Sequence, residues 1–433
     1  MAAAPNRTQS VAAAVVATVA LLGAASMLDI PSWGRQKIKS RKVTARTHAE
    51  KDAPSLVAFK TLVEQATLKE PYPLAKDIQK NIPIYDCSTF DISDAEQIGR
   101  LQDELYHILA SGPGVYVLKN FFTNLSTIDA ANEAYETIIA REAEAAGTKG
   151  DHFAARGLSS RIWNSFSKSC LQNPENFVDY FSNPWFKVVC DSYLGPGYRI
   201  TSQVNIVKPG GKAQVSHRDY HLGFLTTGNV AQFPKAMHNA SALLTLQGAV
   251  AHTDMPLDSG PTRFLPFSQA YEEGFMAYRR PEFNEYFLQK WVSLPLSKGD
   301  AVFFSPALFH AAGENQTKDF NRSANLIQVS SAFGKPMETI DPLPLVEATF
   351  DELKTKYNVE GYSAEVDAFI RAVCEGYPFP TNLDRRPPAP GGMAPESEQD
   401  ILRRAVTEGW SKDIVVEAIA KMRDDSKDHG ADL

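Results

Sequence analysis

Apolar residues recur every three to four positions through the first part of the chain. They sit at Leu56, Phe59, Leu62 and Val63 in an otherwise polar stretch, which predicts a helical lead-in over residues 44–84. The same period returns at Ile98, Leu101, Leu105, Ile108 and Leu109. It predicts a helix over Asp94–Leu109, broken at Ser111–Gly114 ahead of a strand, Val115–Leu118. Thr127–Ala146, rich in Ala and Glu, predicts a further helix. After about Tyr198 the pattern changes to short β-branched and aromatic runs set off by Gly, Pro, Asn and Asp. These predict strands at Tyr198–Lys208, Ala242–Ala251, Thr262–Leu265, Trp291–Leu294, Ala301–Phe304 and Ser323–Ser330. Many short strands with polar turns imply a sandwich or jelly roll, here mainly β with flanking helices. The expected organisation is a β-rich core over residues 85–350, a helical extension over 351–384, a Pro- and Gly-rich linker over 385–396 and a helical tail over 397–433. The tail has helical spacing at Ile401, Ala405, Trp410, Ile414, Val415 and Ala418.

Residues 1–43 stand apart. Val11–Leu28 is a mostly apolar run preceded only by Arg7 and followed by Arg35, Lys37, Lys39, Arg41 and Lys42. It is marginal against the about 20 residues that a spanning helix needs, and long for a signal-peptide core. Gly23, Ala24, Ala25 and Ser26 would suit a signal peptidase, whereas the basic residues after the run would keep an anchored body on the cytoplasmic side. A targeting or membrane-association role for residues 11–28 and an intracellular core are the expectation, with a plain structural helix or an unstructured extension as the alternatives. Ala431-Asp432-Leu433 is not a peroxisomal SKL-type signal.

The 433 residues, 43% hydrophobic and 22% charged, can bury a sizeable core. A net charge of -7, with Lys and Arg dispersed, provides no basic field for nucleic acid. The four cysteines, Cys87, Cys170, Cys190 and Cys374, have neither zinc-site spacing nor the density of a disulfide framework, in keeping with a reducing compartment. Oligomeric state is not legible in these numbers.

The chemistry gathers around few residues. Only nine histidines are present, and two fall in Gly210–His221, within His217-Arg-Asp219-Tyr-His221. A His and a carboxylate two apart on extended backbone point to the same side and can reach one metal ion. A second His from a later strand would complete a two-His, one-carboxylate face that leaves three octahedral positions open, as Fe(II) needs to bind a keto acid and O2 together. His310, after the strand Ala301–Phe304, is the best candidate. His252-Thr-Asp254 is a second His-x-Asp pair, so spacing alone does not choose, although the turn residues after Asp254 suggest a loop. Arg322, opening the strand Ser323–Ser330, offers a guanidinium fork suited to a dicarboxylate.

Three blocks then resemble the phytanoyl-CoA dioxygenase family of Fe(II)/2-oxoglutarate oxygenases, over about Tyr85–Phe333. His217–His221 is similar to its HxDxH segment, Asp258–Gln269 to its NGxLxxLPGSH turn, and Gly299–Thr317 to the block around its distal His. The resemblance implies a double-stranded β-helix core, iron held by His217, Asp219 and His310, and 2-oxoglutarate held by Arg322. It disfavours His252 and Asp254 as ligands. It also implies O2 as co-substrate, ascorbate as an auxiliary reductant, and oxidation of a small-molecule C–H bond with release of succinate and CO2. Gln269 and Ala312 depart from the family pattern, so Thr201, Gln203, Asn205 or Gln247 are expected to help complete the 2-oxoglutarate pocket. The segment Tyr220–Asn239, with Leu222, Phe224, Leu225, Phe233 and Met237, is expected to line the pocket mouth and to favour an apolar substrate. The alternative is a non-catalytic cupin-like metal-binding module, disfavoured by the presence of all three ligands together with Arg322; a zinc hydrolase also fits the ligand set but gives Arg322 no role.

Overall fold

Inward and outward side chains alternate along the central strands, and this alternation divides the protein into layers. In the computed structural model, which describes residues 43–51, 53–146, 158–377, 379 and 381–427, ten strands are formed. They are β1 (Asp77–Gln79), β2 (Ile82–Asp86), β3 (Val115–Lys119), β4 (Ser159–Ile162), β5 (Arg199–Val207), β6 (Thr245–Ala251), β7 (Arg263–Leu265), β8 (Ala301–Phe304), β9 (Phe309–Ala311) and β10 (Arg322–Ser330). Eight make one sheet in the order β1-β2-β3-β8-β6-β10-β5-β4, and β7 pairs with β9 in a second, smaller sheet. Backbone bridges His217–His310 and Phe264–Val292 extend the small sheet on both sides.

On the large sheet, Tyr116, Leu118, Leu246, Val250, Phe303, Ile327 and Val329 point to one face and join a core built with the helices Ala95–Ala110, Pro174–Phe181, Pro184–Leu194, Pro342–Glu360 and Ala364–Val373. Val115, Val117, Ala249, Ala251, Val302, Phe304 and Ala324 point the other way and meet Phe264 and Leu308 of the small-sheet side. Gly248 is required on the helix-facing side, since a Cβ there would lie 2.4 Å from the Phe303 ring. Behind the small sheet, Phe59 of the helix Leu56–Val63 packs with Tyr271, Phe283, Tyr286 and Phe309 in a third cluster. This is the expected jelly roll, with helices on the outer face of the large sheet.

Several expectations shift in detail. β1 and most of β2 fall within the expected helical lead-in and form the sheet edge, β2 running parallel to β3. Trp291–Leu294 is a bridge at Val292 rather than a full strand. The tail is two helices, Glu398–Thr407 and Lys412–Asp425, interrupted at Gly409, whose φ of 72° ends the first. Ile401, Leu402, Val406, Val415 and Ile419 of these helices join the helix-side core. Among the described residues no helix is long and apolar enough to cross a membrane, and Val11–Leu28 lies outside them.

Candidate metal and 2-oxoglutarate site

The strand pairing that builds the small sheet also brings the three predicted ligands together. His217 and His310 exchange backbone hydrogen bonds, 2.9 Å from His217 N to His310 O and 3.2 Å in return. Their rings lie 4.5 Å apart. Asp219, two residues on, is anchored by its N–H to the Pro306 carbonyl at 3.0 Å. Its carboxylate sits 3.7 Å from His217 Nε2 through Oδ1 and 3.3 Å from His310 Nε2 through Oδ2. One ligand atom from each of the three lies within 4.8 Å of the others, the one such group of three among the described residues. The backbone is strained immediately afterwards at Tyr220, whose φ of +63° with ψ of 155° is rarely adopted by a bulky residue, and φ is again positive, +31°, at His221.

Each imidazole is held from behind. His217 Nδ1 lies 2.9 Å from the Val215 carbonyl and His310 Nδ1 lies 2.8 Å from the Leu308 carbonyl. A carbonyl can only accept, so both rings carry hydrogen on Nδ1 and turn a bare Nε2 toward Asp219. Burial pushes the His217 pKa down against the opposing pull of Asp219, which favours the neutral ring. Burial alone would raise the Asp219 carboxyl, but positive charge on the His217 and His310 rings when they are protonated, together with the Gln247 hydrogen bond, outweighs it and holds the group well below the usual carboxylate range; a cation between the three takes the place of those protons. Two neutral imidazole nitrogens and one carboxylate form a donor set that suits Fe(II).

Arg218, between the ligands, faces the opposite way. Its buried guanidinium donates to the carbonyl of Ser268 at 2.5 Å and lies over the rings of Phe275 and Phe309, at 4.9 and 5.3 Å. Gly274 is needed to admit it, because a Cβ there would sit 1.9 Å from the guanidinium. Nothing local announced this pin beyond an Arg set between two candidate ligands.

The second His-x-Asp pair is structural. His252 is buried, with Nε2 2.9 Å from the Tyr180 hydroxyl and Nδ1 2.7 Å from Asn132 Oδ1, and Asp254 accepts from the Lys298 N–H. Burial lowers the His252 pKa to about 3. Unfolded, the ring takes a proton near 6.5; folded, it resists until about 3, so the unfolded state binds the extra proton and stability falls as pH drops through this interval. His252→Phe should therefore reduce stability at neutral pH by about 1–3 kcal/mol, from the unpaired Tyr180 and Asn132 groups. Urea melts should show the gap to wild type narrowing as pH falls from 6.5, with 2-oxoglutarate turnover retained.

The inner face of the large sheet supplies the remaining polar groups. Arg322, paired with Val207 across β10 and β5, is 3% exposed. Its Nη2 reaches Asn205 Oδ1 at 3.4 Å, its Nε has no partner, and no carboxylate lies within ion-pair distance among the described residues. Burial, with Arg161 nearby, pulls its pKa down to about 10. A buried cation lacking a counter-ion is a place for an anion. Thr201 donates to the Gln328 carbonyl at 3.3 Å, and Gln203 accepts from Arg161 at 3.1 Å. Gln247 donates to Asp219 Oδ2 at 2.7 Å and to Gln328 Oε1 at 2.9 Å. All four predicted polar residues thus share this face, with Gln247 on the metal side and Asn205 beside Arg322. Gln269, where the family has His, turns away to donate to the Gly112 carbonyl at 2.8 Å. Arg161 and Gln328 belong to the same wall and carried no motif to announce them.

The phytanoyl-CoA dioxygenase (PhyH) family profile matches residues 87–324. The chain is 26% identical over 259 residues to the dioxygenase cdmD of Talaromyces verruculosus, covering 56% of this chain and 78% of that protein. It is 25% identical over 257 residues to the dioxygenase olcK of Penicillium canescens, covering 56% and 74%. Among solved structures, it is similar to the non-heme α-ketoglutarate-dependent carbocyclase SnoK from nogalamycin biosynthesis, at 19% identity and a TM-score of 0.41 over 54% of this chain and 86% of that one. With the family profile spanning more than half its length, the chain belongs to the phytanoyl-CoA dioxygenase family and is an Fe(II)- and 2-oxoglutarate-dependent dioxygenase.

Proposed function

We propose that His217, Asp219 and His310 hold the iron, that Arg322 binds the far carboxylate of 2-oxoglutarate, and that the enzyme oxidises a C–H bond of a small, largely apolar molecule. The observation that carries this reading is the conjunction of a three-donor cluster with a buried, uncompensated guanidinium on the wall beside it. Bound together, Fe(II), 2-oxoglutarate and O2 supply the oxidising power for C–H cleavage, with succinate and CO2 as co-products. The protein's part is placement. Val215 and Leu308 carbonyls fix the two imidazoles, Pro306 fixes the Asp219 backbone, and Phe304, 4.8 Å from the His310 ring, keeps water from that side. The Arg322 fork matches a carboxylate with two parallel hydrogen bonds. Along Tyr220–Asn239, Phe224, Phe233 and Met237 are exposed, while Leu222 is buried in the cluster behind the small sheet. An exposed apolar rim supports an apolar substrate body.

The test is Fe(II)-dependent succinate release from 2-oxoglutarate by the full chain; its absence under reducing, aerobic conditions with iron supplied would overturn the reading. A narrower test concerns Gln247, whose amide N–H steadies the Asp219 oxygen. Gln247→Leu should weaken Co(II) binding, followed by its visible spectrum, about tenfold. Unchanged Co(II) affinity would remove Gln247 from the metal's support.

A further inference from the structure

Glu338, on the connection after β10, carries a carboxylate that the protein half satisfies. Its Oε1 accepts from the Asn164 N–H at 2.9 Å and from Gln203 Nε2 at 3.2 Å. Its Oε2 is shielded from solvent and has no hydrogen-bond partner among the described residues. No Lys or Arg lies within ion-pair distance of Glu338 among the described residues; of the two cations near enough to lower its pKa, Lys168 is ion-paired with Glu142 and Arg161 donates to Gln203 Oε1. Gln203 cannot rotate to change this arrangement. Its own carbonyl oxygen is taken by the Arg161 guanidinium at 3.1 Å, so its NH2 must face Glu338. Asn164 delivers its N–H from a left-handed conformation, φ 53° and ψ 39°.

The position of this group gives it meaning. Gln203 lies on the inner face of β5, two residues from Thr201, whose cross-strand partner Gln328 contacts Gln247 and through it Asp219. We infer that Glu338 is a substrate-recognition residue, whose free oxygen accepts a hydrogen bond from a hydroxyl or amino group on an otherwise apolar substrate. This rests on the reading that the space beside His217, Asp219 and His310 receives the substrate. The substrate then has an apolar body with a polar donor set away from the C–H bond that reacts. A buried acceptor left unpaired is unfavourable, and a ligand donor relieves it while an ether or hydrocarbon does not. Burial raises the Glu338 pKa in spite of the Asn164 and Gln203 hydrogen bonds, and the ionised form, an acceptor only, is the one that takes the donor.

The experiment uses the full chain with Fe(II) and 2-oxoglutarate under anaerobic conditions, and matched cyclic probes: an alcohol, its primary amine, its methyl ether and the parent hydrocarbon. Equilibrium dialysis should show the alcohol and amine binding at least about tenfold more tightly than the ether. In Glu338→Gln, the amide must keep its oxygen toward Asn164 and Gln203, so an NH2 replaces the free oxygen. The preference should then shift toward the ether, an inversion that a merely structural role would not produce. Glu338→Leu should level the series, with 2-oxoglutarate binding reporting that both variants are folded. Equal binding of alcohol and ether by the wild type, or no binding of any alcohol or amine, overturns the assignment without need of a variant. If Asp219→Ala retains turnover, the site reading itself falls. If that variant is inactive and the probes show no donor preference, only the role of Glu338 falls.

Discussion

Asp219→Ala is expected to lower 2-oxoglutarate turnover at least about a thousandfold, equivalent to roughly 4 kcal/mol of lost barrier reduction. Asp219 is the sole carboxylate of the three-donor cluster, and its two oxygens face the two imidazole Nε2 atoms. Removing it leaves two neutral donors with no negative charge to attract a divalent cation. The fold should persist, because the Asp219 backbone remains tied to Pro306 and the Arg218 pin is untouched. His310→Ala should behave alike, since His310 supplies the buried donor of the set. Succinate formation at saturating iron checks both. Activity near wild type in either variant would contradict the ligand assignment.

Replacing Arg322 with Met is expected to raise the KM for 2-oxoglutarate about a hundredfold, with a smaller effect on kcat at saturation. A buried charge pair that loses one partner forfeits roughly 2–5 kcal/mol, and each 1.4 kcal/mol is tenfold in affinity. Stability should move the other way. The guanidinium is buried with a single long contact to Asn205 and an unpaired Nε, so an apolar side chain of similar length removes an uncompensated charge. Thermal melting without 2-oxoglutarate should therefore show no loss. A variant that melts much earlier and retains its KM would assign Arg322 a structural role instead. Arg322→Lys should recover only part of the affinity, because a point charge lacks the fork.

Much of this was legible in the sequence where a local rule and the tertiary structure agree. The predicted strands Tyr198–Lys208, Ala301–Phe304 and Ser323–Ser330 correspond to β5, β8 and β10, because their runs bury both faces between helices and small sheet. Asp94 opens the predicted helix Asp94–Leu109, and in the structure it caps that helix through the Glu96 and Gln97 N–H groups. The His217, Asp219 and His310 cluster was visible as residue types in motif order. What the sequence concealed depends on distant pairing. β2 is a strand because β3 lies beside it, and Val292 is extended because Phe264 is there to pair. The helices Pro174–Phe181 and Pro184–Leu194 were missed although each opens on an Asn cap followed by Pro, a signal available locally. Arg161, Gln328 and Glu338 had no motif at all. Their roles arise from register across β4, β5, β10 and β6, which no single segment encodes.

The most direct test of the central claim is anaerobic titration of the full chain with Fe(II) and then 2-oxoglutarate, followed by metal analysis and visible absorption. One iron per wild-type chain is expected, with a new charge-transfer band appearing only when 2-oxoglutarate is added, and with both signals lost in Asp219→Ala. Iron retained at the same stoichiometry by Asp219→Ala, with the band intact, would contradict it.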